Sequence, residues 1–164
     1  MRTLLTFHAT LLLAATLLPA ARVHAAAPPA APTTQAAACI SFEDGWIRMP
    51  PAPRPMLAGF GRIANRCVDE QVVVAVRSPR LDDVSLHETQ LVDGVSRMRE
   101  LERLPVAPAG DARLQPGGLH LMLMQPDAVL AEGERVPLVL VLEDGREIVA
   151  TLVVAGESPA AGSE

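Results

Sequence analysis

Leu119-His120-Leu121-Met122-Leu123-Met124 alternates with a period of two residues. Read as a strand, it sets Leu119, Leu121 and Leu123 on one face and His120, Met122 and Met124 on the other. The leucine face is an ordinary core face. The opposite face lines up an imidazole and two thioethers, which suits neither a solvated surface nor a packed core. Imidazole and thioether together suit a soft ion such as Cu(I), whereas hard cations take oxygen ligands.

Upstream, His87 and Met98 flank Asp93-Gly94, a dipeptide that favours a tight hairpin between extended runs. With a two-residue turn, Val92 pairs with Val95, Thr89 faces Met98 and His87 faces Glu100. His87 and Met98 are then diagonal neighbours on one face, about 7–8 Å apart and within converging reach. An odd-length loop would put them on opposite faces, so this expectation rests on the turn. His87/Met98 and His120/Met122 are thus two candidate half-sites. Taken singly, His87 reads as a surface or hydrogen-bonded histidine and Met98 as a core filler; His120 and Met122 gain weight from the alternation that spends the leucines on the opposite face. Met124 shares the face, with three readings open to it (a spare ligand, a shield over the metal or part of the barrel end), and is taken as a neighbour of the ligands. Glu88 and Glu100 are candidates to orient an imidazole, as outer carboxylates do around metal sites. Met49 and Met56 flank a proline loop within approach of the site, but are assigned to loop or core packing in preference.

The 164 residues suit one domain after processing. Residues 1–25 read as a secretory signal peptide, with Arg2, the apolar run Leu11–Leu18 and Val23-His24-Ala25 before further alanines. That run is too short to span a bilayer, and no later segment reaches about 20 apolar residues. Residues 26–38 form a Pro/Ala/Thr linker, 39–155 the folded domain and 156–164 a small, polar tail. Within the domain the chain reads as short strands: Ile40–Arg48, Met56–Asn65 (bent or bulged near Gly59 and Gly61), Gln71–Arg77, the hairpin arms, Arg113–Gln115 and Leu119–Met124. A final hairpin joins Val136–Leu142 to Glu147–Val154 through Asp144-Gly145. No segment keeps a helical period, although Asp127–Gly133 has room for one turn. Many short strands with regular turn signals mean an all-β sandwich or barrel of antiparallel strands.

Composition removes several functions. There is no lysine, and cleavage after Ala25 would leave 12 arginines against 19 acidic residues. A net negative chain with one Trp and three Phe does not suit nucleic acid. Nucleophile elbow, glycine-rich phosphate loop and HExxH are all missing, so catalytic templates fail. A site filled by four protein ligands leaves no open position for a substrate. Cys39 and Cys67 are far in sequence from the His/Met residues, whereas a blue-copper site needs a cysteine with its histidines. In an exported chain two cysteines read as a disulfide, here joining the first strand to the end of the second. The rival reading makes them soft thiolate ligands.

His87, ten residues, Met98, twenty-one residues, His120, one residue and Met122 together resemble the pattern of the periplasmic copper chaperones of the PCuAC type. The flanks Leu86-His87-Glu88-Thr89, Asp93-Gly94-Val95, Met98-Arg99 and Pro116-Gly117-Gly118-Leu119-His120-Leu121-Met122-Leu123-Met124 resemble that family too, and the likeness runs from about Trp46 to Val154. The resemblance implies a small cupredoxin-like β-barrel in which His87, Met98, His120 and Met122 bind one Cu(I). It implies a monomer in the periplasm that hands copper to the copper centre of a respiratory cytochrome oxidase, directly or with a thioredoxin-like Sco-type partner. The alternative is a copper-buffering or resistance protein without a dedicated acceptor. Some members carry a His/Met-rich C-terminal extension, but Gly156–Glu164 contains neither residue.

Overall fold

Strands are the only regular elements of residues 39–156, the part of the chain that the computed structural model describes. The stretches read as signal peptide and linker, and the tail beyond Gly156, lie outside the described residues. The strands are β1 (Ile40–Arg48), β2 (Met56–Asn65), β3 (Gln71–Arg77), β4 (Leu81–Val92), β5 (Val95–Glu100), β6 (Leu104–Val106), β7 (Asp111–Leu114), β8 (Leu119–Pro126), β9 (Arg135–Leu142) and β10 (Glu147–Ala155). All ten join one sheet in the order β5-β4-β8-β7-β2-β1-β10-β9-β3-β6, with β2 also paired to β8. The sheet curls until β3 packs on β4. The expected all-β architecture is therefore present, as one continuous sheet. The helical turn allowed for at Asp127–Gly133 is instead bend and turn.

Alternation decides which side of the sheet is dry. Leu121 and Leu123 of β8, Ile47 of β1, Ile63 of β2 and Leu138 and Leu140 of β9 are fully buried in one core cluster. Trp46 and Phe60 are buried too, but they sit outside that cluster, on the opposite side of the sheet from Ile47. Their rings pack 4.8 Å apart, and the Arg48 guanidinium lies over both, 5.9 Å from Trp46 and 5.2 Å from Phe60. A small aromatic patch thus covers part of the outer face.

Two backbone devices set register. Asp93 (φ 53°) and Gly94 (φ 77°) both have positive φ, the signature of a type I′ turn, and this holds β4 and β5 in the two-residue-turn register. The irregularity expected near Gly59 and Gly61 falls across the ladder, in β1 between Glu43 and Trp46, where Asp44 has φ 52°. Gly45 permits that bulge, because a Cβ there would lie 2.6 Å from both the Phe42 ring and the Thr151 carbonyl. Cys39 and Cys67 are joined by a disulfide at the start of β1 and just past the end of β2.

Candidate metal centre

β4 runs between β5 and β8, and this order gathers the four His/Met residues on one face. His87 of β4 stands directly opposite His120 of β8, with ring centroids 5.9 Å apart. Thr89 pairs with Met98 and His87 with Glu100, so Met98 is the diagonal neighbour of His87. Met98 reaches further, across β4, and its Sδ lies 3.2 Å from His120 Nε2. Met122, one pair along β8, is opposite Ser85 and half-buried on the same face.

His120 is the fixed member, only 9% exposed. Its Nδ1 is 3.0 Å from the Gly118 carbonyl, which can only accept, so Nδ1 carries the proton. In the neutral ring Nε2 then holds a lone pair, aimed at the Met98 sulfur. Two electron-pair donors at that separation with no proton between them are arranged for a shared soft cation. Phe60 packs on the other side of the imidazole, with centroids 6.5 Å apart, so the aromatic patch walls the site.

His87 is held less completely. Its Nε2 shares a 3.0 Å hydrogen bond with Ser85 Oγ, while Nδ1 is buried without a partner among the described residues. A buried nitrogen with no partner costs about 1–3 kcal/mol, which a bound cation would relieve. The ring's pKa is pushed below the usual histidine value, chiefly by burial and further by the neighbouring His120. Glu100 and Asp83 pull it the other way. At His87 burial therefore favours the neutral, metal-binding form.

The carboxylates expected to orient the rings divide. Glu100 opposes His87 and acts on it through its charge. Glu88 does not: adjacent strand residues point to opposite faces, and it bonds Arg99 and Gln90 instead. Gly118 and Ser85 take the orienting role. Met49 packs against the core as expected, but Met56 does not. It is 49% exposed in β2, directly opposite Met124. Among the described residues no group of three or more His, Cys, Asp or Glu is gathered for a harder metal. Trp46, Arg48 and Phe60 escaped the sequence reading as site residues. Their signal was the i, i+2 spacing of Trp46 and Arg48 in a chain with few aromatics.

A family model described as "Putative lipoprotein LpqE-like" matches residues 40–154. The chain is 32% identical over 107 residues to "Putative lipoprotein Lxx21020" of Leifsonia xyli subsp. xyli (strain CTCB07), covering 65% of this chain and 63% of that protein. It thus spans less than two thirds of that relative's length. The copper-bound PCuAC domain from PmoF2 superposes with a TM-score of 0.60 at 18% identity, covering 73% of this chain and 94% of that one. The solution structure of CuI-DR1885 from Deinococcus radiodurans also gives 0.60, at 23% identity, covering 72% and 79%. The shared property is the fold: this sheet is that of the PCuAC domains.

Proposed function

The chain belongs to the LpqE-like family, and from that premise and the donor cluster we propose that it is a copper chaperone. It is exported to the periplasm, binds one Cu(I) through His87, Met98, His120 and Met122, and delivers it to the copper centre of a respiratory cytochrome oxidase. Delivery is direct or involves a thioredoxin-like Sco-type partner. The observation that carries this reading is the His120 lone pair facing the Met98 sulfur at 3.2 Å, with His87 across the ladder. Copper bound to proteins of the same fold supports it.

The donor set decides the metal. Thioethers give little to Zn(II), which prefers thiolate, imidazole and carboxylate, and little to Cu(II), which prefers tetragonal nitrogen and oxygen sites. Cu(I) gains from all four ligands and is held without thiolate, so an acceptor that offers thiolates can take it by ligand exchange. The protein acts as a carrier, and the metal is cargo. A Cu(I) competition titration should give one tight equivalent, with Zn(II) and Cu(II) bound only loosely. Copper-edge X-ray absorption should report mixed sulfur and nitrogen ligation. A Met98→Leu, Met122→Leu variant that keeps full affinity would remove the thioethers from the site. Oxidase activity in a deletion strain separates delivery from buffering.

A further inference from the structure

The face that carries the four candidate ligands continues past them. Along β8 the outward side chains are His120, Met122 and Met124, and the two methionines have a partner on both sides. His120 is opposite His87; Met122 lies between Ser85 and Ala58; Met124 lies between Asp83 and Met56. The middle row holds only small side chains beside Met122, so nothing bulky separates it from the row beyond. Met56 is an exposed large apolar side chain, at 49%, nearly matching Met98 at 51%. Two thioethers directly opposed have Cβ atoms about 4.5–5.5 Å apart, and the three rotatable bonds of each let the sulfurs converge. An exposed carboxylate completes the row, and Asp83 already acts on His87 through its charge.

We propose that Met56 and Met124 form a second, weaker Cu(I) site that shares Met122 with the first and gives the ion a path across the sheet face. The proposal rests on the copper-carrying function above. Rows two residues apart along a strand are about 6.6 Å apart, a span that one flexible thioether can bridge from either side. The ion keeps its charge throughout: a bond to a histidine nitrogen breaks as a bond to the Met124 sulfur forms, with Met122 bound in both positions. Without imidazole, the second row holds Cu(I) less tightly. Asp83 balances the charge of a monovalent cation in an exposed place from which it can leave.

The test uses the exported protein carrying ¹³C-methyl methionine, titrated anaerobically with buffered Cu(I) alone. The first equivalent should move the Met98 and Met122 methyl signals, and the second those of Met56 and Met124. A Met56→Leu, Met124→Leu variant, close in volume and lacking sulfur, should keep the first equivalent at unchanged affinity. It should lose the second and give up its copper to dithiothreitol more slowly than the parent. If the second equivalent leaves the Met56 and Met124 signals unmoved in the parent protein, or if the variant still takes two equivalents, the second site is wrong and the first stands. If the first equivalent leaves Met98 and Met122 unmoved, the carrier reading fails, and the path falls with its source.

Discussion

Removing the disulfide should cost the fold dearly and the metal site nothing. The Cys39–Cys67 bridge spans a sequence separation of 28. Chain-entropy arithmetic for a closed loop of about 28 residues gives roughly 3.6 kcal/mol, acting on the unfolded chain. In the folded chain the same corner is already closed by other contacts, so the native state should survive the change. The Arg66 amide donates to the Cys39 carbonyl at 2.6 Å, and Ile40 pairs with Asn65. The buried Asn65 amide donates to the carbonyls of Asp69, Val106 and Ala107. A Cys39→Ala, Cys67→Ala variant should therefore fold with native spectra and lose about 3–4 kcal/mol in urea. Its m-value should rise, because the uncrosslinked chain exposes more surface. Copper stoichiometry should not change. The disulfide sits at the half of β2 that pairs with β7, whereas the metal face uses the half that pairs with β8. Asn65 lies about 16 Å along the strand from Phe60 at the usual rise. A folded variant that no longer binds Cu(I) would make the cysteines ligands. A loss below about 1 kcal/mol would refute the crosslink estimate.

Acid should act through His87. Its folded pKa lies below the ordinary value of 6.5, mainly through burial, so the unfolded chain takes up the proton first. Stability of the metal-free protein should be indifferent to this group above pH 6.5 and should fall as pH drops through 6.5 toward the depressed folded value. Urea midpoints across that range should lose this slope in a His87→Gln variant, and an unchanged slope would assign it to other groups. At the site itself, Ser85→Ala removes the hydrogen bond to His87 Nε2 and should weaken Cu(I) binding about 10–100-fold, as loss of an orienting partner does. Glu88→Gln should leave the affinity unchanged, since that carboxylate pairs with Arg99 on the other face. A competition titration of both variants checks the pair, and equal losses would restore Glu88 as an orienting group.

Local pattern made most of this fold legible. Alternation located most of the strands, and Asp93-Gly94 specified the register that puts His87 opposite Glu100 and Thr89 opposite Met98. β6 escaped because Leu104-Pro105-Val106 is three residues long with a proline in the middle, tolerable only at a sheet edge, where it lies. The four His/Met candidates were readable as two half-sites, but their meeting was not derivable from local pattern. His87 and His120 are opposed only because β4 and β8 pair in one particular register, and nothing in either strand specifies it. The pairing of Met56 with Met124 has the same origin: across five intervening strands in the chain, no spacing connects them. Glu88 was misplaced for a simpler reason. Period-two alternation, applied to it as to His87, already sends it to the other face.

The candidate ligands differ in how firmly the sheet holds them, and under the proposed function that difference bears on carriage. His120 belongs to an interior strand bonded to β4, β2 and β7, and its imidazole is clamped between a carbonyl and Phe60. Met98 belongs to β5, the end of the sheet, paired among the described residues only with β4 and exposed along its whole length. Such a strand opens at lower free-energy cost than the core strands beside it. Under the proposed function, the imidazoles set the geometry and the edge thioether sets the lability. An incoming thiolate meets Met98 first, and replacing a thioether by a better soft donor needs no core strand to move. Once Met98 lets go, the ion rests on the histidines and Met122, the ligand that adjoins Met124 and Met56. Affinity and release can then be tuned on separate strands, which a site built wholly from interior residues would not permit.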